Sequence, residues 1–556
     1  RQRQMCIRDR LWTIASPFIL FIILCILIYL PPIQNFLVDK AAVYASEATG
    51  MNISVGRISL SFPLNLVVTN VDAASPHNDT LLSVRRLQVN VQLLPLLKKQ
   101  VEVDGISLQG ATVNSNDLIH GMKLNGTLGE LFISSHGVAL DPETAIVNKV
   151  LLKDTDLSLC LNDTAAADTA ASDTAYWKII LQDIDLQNVS FALDMPLDSL
   201  SLAASLDNAI LRDGLIDLHK SAYSLQTFRI ENGRVRYDNG KPLAADSLSS
   251  GLDPSHIALT DIGVKLDSLY YGGRNMKAII SQFVLKERSG VEIVSATGRM
   301  VSNDKVLRVP SLKLETRDSY LELNAAMDWN ALDFKDEGLV SARLMADIGK
   351  PDVVRFMGSM DEKFIRQYPS EPLRIRTGID GDLNKLKLTT LTAELPGALG
   401  LFARGELTHL TDSLLRGGDI TLEAETKDLK FVSTLAEGIE IPYGTRLEGK
   451  FTMAGTKMGT DLLLMQPEAQ AVAAADTIPI TVYNDSISVA DDFKMERAAR
   501  LFAKYDLSRD RYEADLAVNH FDLHQFMPAD SLYTLSTRLK VEGEGFDFFS
   551  PRTYFN

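Results

Sequence analysis

Apolar and polar residues alternate with a period of two over most of the chain. Ala499, Leu501, Ala503, Tyr505 and Leu507 interleave with Arg500, Phe502, Lys504 and Asp506. After Ser508-Arg509-Asp510 the alternation resumes at Tyr512, Ala514, Leu516 and Val518, which predicts a β-hairpin. The same grammar recurs upstream in Val101 to Val113, Leu152 to Leu159, Leu181 to Leu193, Phe228 to Tyr237 and Ile257 to Leu266. Each reads as two short alternating pieces split by a small or polar break. Turn dipeptides at Asp104-Gly105, Asn125-Gly126, Asp213-Gly214, Asn232-Gly233, Asn239-Gly240 and Asp380-Gly381 are expected to close hairpins. Few segments read as long helices, so the expected fold is mostly β.

Two stretches break this rule. Residues 11–30, LWTIASPFILFIILCILIYL, hold no charge for twenty residues, enough at about 1.5 Å per residue to cross a hydrocarbon core of roughly 30 Å. They predict an uncleaved transmembrane helix, because a signal peptide's apolar run is shorter and Pro31-Pro32 follows in place of a small-residue cleavage site. Residues 31–50 then suit a short juxtamembrane helix ended by Gly50. Arg8 and Arg10 place the N-terminus on the cytoplasmic side and the body outside. Residues 1–10, RQRQMCIRDR, resemble a translated sequencing adapter and are a candidate non-native leader; with them set aside, orientation rests on the character of the body alone.

A larger unit repeats in the second half: a strand, a short helix, a Pro-marked break, then a strand reaching glycine. Its copies span Asp347 to Asp382, Asp428 to Thr456 and His520 to Gly545, with Gly381, Gly455 and Gly543 taken as equivalent points. Such recurrence means an array in which neighbours cover one another. The expected division is a β region over 51–340 and repeated strand/short-helix/strand units over 341–556, truncated at the C-terminus. Ala/Asp/Thr-rich Leu161 to Ala175 and Ala469 to Thr477 read as surface loops.

Composition narrows function by exclusion. With 556 residues, 46% apolar and 23% charged, the chain is too long for one core and too apolar for disorder. A net charge of −16 with scattered basic residues argues against nucleic acid. Cys6, Cys25 and Cys160 form no CxxC, so neither a disulfide framework nor a thiolate metal site is expected. Gly444 to Lys450, GTRLEGK, has Walker A spacing, but Phe451 cannot supply the magnesium-binding hydroxyl and the segment reads into a strand. His520 and His524 lack an HExxH partner. Carboxylate pairs such as Asp361-Glu362 and Asp491-Asp492 read as solvated turns, and no nucleophile elbow or dinucleotide loop is present in the sequence. No enzyme, cofactor or metal is expected.

An apolar strand face must be hidden by a second sheet, by barrel closure or by a ligand. Val101, Val103, Ile184, Leu186, Val189, Phe191, Ile262, Val264 and Leu266 are the candidate inward lining, with ordinary sandwich core as the equal alternative. The N-terminal helix, Ile53 to Ala73, Val101 to Val113 and the repeated short-helix units with IPYGTRLEGKFTMAGT resemble the AsmA-like superfamily, and within it the TamB family in its long Bacteroidetes-type form. The likeness is one of pattern over nearly the whole chain, with no catalytic motif. It implies an inner-membrane-anchored, single-pass periplasmic protein with a β-taco or open β-helical groove. It further implies passage of phospholipid acyl chains between inner and outer membranes. The alternatives it leaves open are an assembly or secretion factor with an Omp85-type outer-membrane barrel, through a C-terminal part missing here, and a passive envelope scaffold.

Overall fold

The computed structural model describes residues 40, 42–43, 46, 51–61, 65–75, 80–92, 103–115, 122–139, 143–162, 177–240, 251–333, 338–357, 361–435, 440–467, 481–483, 486–488, 495–528, 533–545 and 554–555. The candidate membrane span 11–30 and most of both Ala-rich segments lie outside them. Among the described residues no helix is long and apolar enough to cross a membrane. Lys40, Ala42, Val43 and Ser46 are helical, and the Ser46 hydroxyl accepts from the Ile53 backbone N–H at 3.0 Å. The protein is mostly β, as the alternation predicts, and it divides into two compact units: residues 1–242 with 254–273, and 243–253 with 274–556.

The first unit contains β1 (Asn52–Ser61), β2 (Asn65–Ala74), β3 (Thr80–Val91), β4 (Val103–Asn114), β5 (Met122–Ala139) and β6 (Thr144–Leu161). It continues with β7 (Lys178–Met195), β8 (Leu200–Asp217), β9 (Ala222–Leu225), β10 (Thr227–Asp238) and β11 (His256–Gly272). Sequential strands pair antiparallel up to β6. The pair β6–β7 is parallel, running from Thr144 beside Lys178 to Cys160 beside Asp194. Antiparallel order then resumes, with β9 and β10 sharing one lane between β8 and β11. Ten lanes result, and strand length grows from 10 residues in β1 to 18 in β5 through β8.

The expected hairpin turns are corrected here. Asp104-Gly105, Asn125-Gly126, Asp213-Gly214, Asn232-Gly233 and Asp380-Gly381 all fall inside strands, and Asn239-Gly240 alone follows a strand end. Glycine and Asx residues suit positive φ in a bulge as well as in a turn, and Asp213 and Asn232 hold positive φ inside continuous strands.

The second unit is a longer antiparallel succession: β12 (Asn275–Glu287), β13 (Glu292–Ser302), β14 (Val306–Thr316), β15 (Tyr320–Asp328), β16 (Leu339–Ile348) and β17 (Leu373–Asp382). Next come β18 (Lys385–Leu395), β19 (Leu399–Thr408), β20 (Gly417–Thr426), β21 (Arg446–Ala454) and β22 (Lys457–Pro467). A small hairpin, β23 (Thr481–Tyr483) with β24 (Ser486–Ser488), precedes β25 (Met495–Asp506), β26 (Arg511–Asp522), β27 (Thr534–Glu544) and β28 (Tyr554–Phe555). The predicted β25–β26 hairpin forms, with Ala499 opposite Val518 and Tyr505 opposite Tyr512. Pro310 sits at a register shift between β14 and β15, where a missing N–H is tolerated.

Short helices decorate the second unit: α1 (Trp329–Leu332), α2 (Lys350–Phe356), α3 (Glu362–Gln367), α4 (Lys430–Ser433) and α5 (Leu523–Phe526). Three of the strand-to-strand connections that carry them are those of the predicted repeat. The chosen glycines are out of step, however. Gly381 and Gly543 lie inside strands, whereas Gly455 follows β21, and its N–H donates to the Arg416 carbonyl as that of Gly545 does to Asp510. Gly455 and Gly545 are the matching pair. In this helical layer Phe431 packs edge to face against Phe364 and Tyr368, and the three rings form a closed core with Leu395, Ala398 and Leu429.

Candidate functional site

β1 shows the local rule most plainly. Ile53 and Val55, then Ile58 and Leu60, are half-buried, while Ser54, Arg57, Ser59 and Ser61 are exposed. The alternation changes parity at Gly56. Comparable breaks occur at Asn70 (φ 55°), Gly110 (φ 61°), Asp154 (φ 49°), Asn188 (φ 51°), Asn232 (φ 53°) and Asp261 (φ 52°). A left-handed residue inserts one extra position and returns the next side chain to the original face, and Asn, Asp and Gly bear that conformation at least cost.

The registers align these breaks into one line. Val55 opposes Val71 and Arg57 opposes Thr69, which puts Gly56 level with Asn70. The same bracketing joins Asn70 to Arg85, Arg85 to Gly110, Gly110 to Gly129 and Gly129 to Asp154. It continues from Asp154 to Asn188, Asp207 and Asn232. The ladder partners flank this seam in each pair, and the seam residues themselves are skipped. Asn188 Nδ2 donates to Asp154 Oδ1 at 2.8 Å, and Asn232 Nδ2 donates to Asp207 Oδ2.

Because opposite residues share a face, each row across the lanes has a single character. On one side of the seam, Ile58, Val68, Leu87, Leu108, Leu131, Leu152, Leu186, Ala209, Ile230 and Val264 stand opposite one another in succession. The next row runs from Leu60 and Leu66 through Val150, Ile184, Leu211 and Phe228 to Leu266. Across the seam, one row includes Val55, Val71, Thr155, Val189 and Ile262, and another includes Ile53, Leu157, Phe191, Ala204 and Leu259. The opposite face beside the seam is polar throughout: Arg57, Thr69, Arg86, Gln109, Glu130, Lys153, Gln187, Asn208 and Glu231.

Seven of the nine sequence candidates, Ile184, Leu186, Val189, Phe191, Ile262, Val264 and Leu266, therefore share this apolar face. Val103 lies opposite Val91 in β4, and Val101 is outside the described residues. Among the large aliphatic residues of the four rows, Val84 alone is fully buried; the rest are half-buried, and Leu82 and Phe191 are 37% and 38% exposed. Both closed hydrophobic clusters found among the described residues belong to the second unit. Among the described residues, the apolar face of the first unit thus forms no closed hydrophobic cluster.

The second unit repeats the row design without the seam. Leu312, Leu323, Leu344, Thr377, Leu391, Ala403, Leu422, Gly449, Leu462, Leu501, Leu516 and Leu539 are successive opposite partners from β14 to β27. Its other face carries cross-strand ion pairs, among them Arg376–Asp347 at 2.7 Å, Lys450–Asp419 at 2.8 Å, Arg500–Asp461 and Arg538–Asp515. The fork-like bonds from Arg500 and Arg538 hold the Asp461 and Asp515 carboxyls below the ordinary aspartate range.

Among the described residues, the other candidate chemistry is not brought together. Gly444 to Lys450 turns into β21, so no helix N-terminus faces it. His520 is in β26 and His524 in α5, where its ring stacks on Tyr533 at 5.1 Å. Among the described residues no three His, Cys, Asp or Glu side chains converge as metal ligands.

The signal for the seam was present in the sequence as a polar residue, then Asn, Asp or Gly, then an apolar residue or glycine: Thr69-Asn70-Val71, Gln187-Asn188-Val189, Glu231-Asn232-Gly233 and Thr260-Asp261-Ile262. Fold and face together define a class, a serial β protein with largely apolar rows on one side of its strands. No protein-family model matches the chain, and no curated protein matches it.

Proposed function

We propose that the protein is an inner-membrane-anchored periplasmic member of the TamB type whose apolar faces form an open β-groove for phospholipid acyl chains passing between the two membranes of the envelope. The observation that carries this reading is the first unit's set of continuous apolar rows, crossing ten lanes and left half-buried. Each methylene moved from water into such a lining gains about 0.8 kcal/mol, so a pair of tails is stabilised by on the order of 20 kcal/mol. Ten lanes at roughly 4.8 Å extend about 45 Å. The charge-free run at residues 11–30 supplies the anchor, and the resemblance in strand and short-helix pattern supplies the envelope setting.

The reading is tested by purifying the body from Ile33 onward and identifying co-purifying lipid by mass spectrometry, with photo-crosslinkers at Ile184 and Val264. Lipid adducts at both positions are expected. Adducts only to other strands would replace the conduit with a scaffold or an assembly factor.

A further inference from the structure

The seam of the first unit has a mechanical consequence. On either side of it ladder bonds join the strands, interrupted on one side of β6 to β8 by a second skipped position at Asn148, Gln182 and Asp213, so each stretch of unbroken ladder behaves as a stiff plate. At the seam itself the ladder partners skip a position from β1 to β8, and positive-φ residues stand there in β2, β4, β6 and β7. Two plates joined along one interrupted line form a hinge. We propose that the seam is a graded hinge about which the strand segments on its two sides rotate, changing the curvature of the apolar face.

The grading comes from side chains. In β1 through β5 the seam consists of Gly56, Asn70, Arg85, Gly110 and Gly129, and among the described residues no hydrogen bond between these side chains spans adjacent lanes. From β6 onward Asn188 clasps Asp154, Asn232 clasps Asp207, and Arg234 lies 3.7 Å from Asp207. Amide-to-carboxylate bonds tie neighbouring lanes at the line of bending, so the plates open further at the β1 end than at the β6–β10 end. The half-buried state of the apolar rows leaves them free of the interdigitated packing that would lock the angle. This goes beyond the proposed lipid function and does not depend on it.

The experiment uses spin-label distance distributions on the full chain in detergent after lipid has been stripped. One pair, at exposed Asn52 and Ser61, crosses the seam in β1; a control pair at Leu339 and Ile348 of β16, with the same sequence separation, spans ladder partners that run without a skip. A third pair, Lys149 and Asp156, crosses the clasped seam in β6. The β1 distribution is expected to be broader than the control, with β6 between them, and Asn188→Gly, which keeps the left-handed conformation but removes the clasp, is expected to broaden β6. A β1 distribution as narrow as the control, or a β6 distribution unmoved by Asn188→Gly, overturns the proposal. Because the widths are read on lipid-free protein, failure to recover lipid would sink the conduit and leave this comparison intact.

Discussion

Asn188 donates its amide to the Asp154 carboxylate across the parallel pair β6–β7, at 2.8 Å, while both residues hold left-handed backbone conformations at the same level of the sheet. Two locally unfavourable conformations are thus placed side by side. The bond between them gives the kink a side-chain partner in place of the backbone ladder bonds it interrupts.

The residue type at the seam is therefore a stability determinant that contact lists alone do not reveal. Asn188→Gly loses one hydrogen bond, worth about 1 kcal/mol. Asn188→Val loses the same bond and forces a β-branched residue into the left-handed region, adding about 1 to 2 kcal/mol. Urea titration of the two variants is expected to rank Val below Gly. Equal midpoints would show that the kink relaxes to an ordinary strand when its amide is removed.

How far this was legible from sequence depends on range. The β25–β26 hairpin was readable because its alternation is unbroken and its turn is local. The breaks at Gly110, Asn188 and Asn232 were visible too, but a turn and a bulge ask for the same residues. What separates them is whether the neighbouring strand breaks at the same level, a relation between residues such as Asp154 and Asn188 that lie 34 positions apart. The apolar face was recoverable at seven positions since their spacing already skipped Asn188. The parallel β6–β7 pairing carried no signal, because the composition of the segment between them does not set strand direction.

Asp352, at 1% exposure, is the polar anchor of the helical layer in the second unit. It accepts from the Ser319 hydroxyl at 2.6 Å, from Thr316 Oγ1 and from the Arg355 guanidinium at 3.0 Å. Asp352→Ala strands these donors, and a loss of about 2 to 3 kcal/mol is expected. Asp352→Asn, which retains an acceptor, is expected to lose less. Denaturant unfolding followed by tryptophan fluorescence checks both, and a neutral Asp352→Ala would mean that water replaces the carboxylate.

Acid and neutral stability are set by carboxylates of opposite behaviour. Asp461 and Asp515 are held low by hydrogen bonds from Arg500 and Arg538. Their contribution is present above the unfolded aspartate pKa and is lost as pH falls through the depressed folded value. Glu425 is 5% exposed and pushed up by burial, against the opposing pull of Arg446 and Lys427. Its ionised form disfavours folding, and that penalty fades as pH falls through the raised folded value. Glu425→Gln is accordingly expected to raise the unfolding midpoint at neutral pH and to converge on the parent protein in acid. R500Q is expected to flatten the acid limb. A Glu425→Gln curve parallel to the parent at every pH would contradict the assignment.

The sharpest separation of the two strand faces is available at adjacent residues. Leu152 stands between Leu131 and Leu186 in an apolar row, whereas Lys153 stands between Glu130 and Gln187 on the polar side. A charge at Leu152 would have to desolvate or displace whatever lies against that face. Leu152→Arg is therefore expected to lower co-purifying lipid several-fold, while Lys153→Ala leaves it unchanged. Leu152→Ala, which keeps the face apolar, is expected to retain most of it, and circular dichroism on all three separates loss of ligand from loss of fold. Equal lipid recovery from folded Leu152→Arg and Lys153→Ala would mean that the rows are not the surface lipid touches, and the apolar face would then need another occupant.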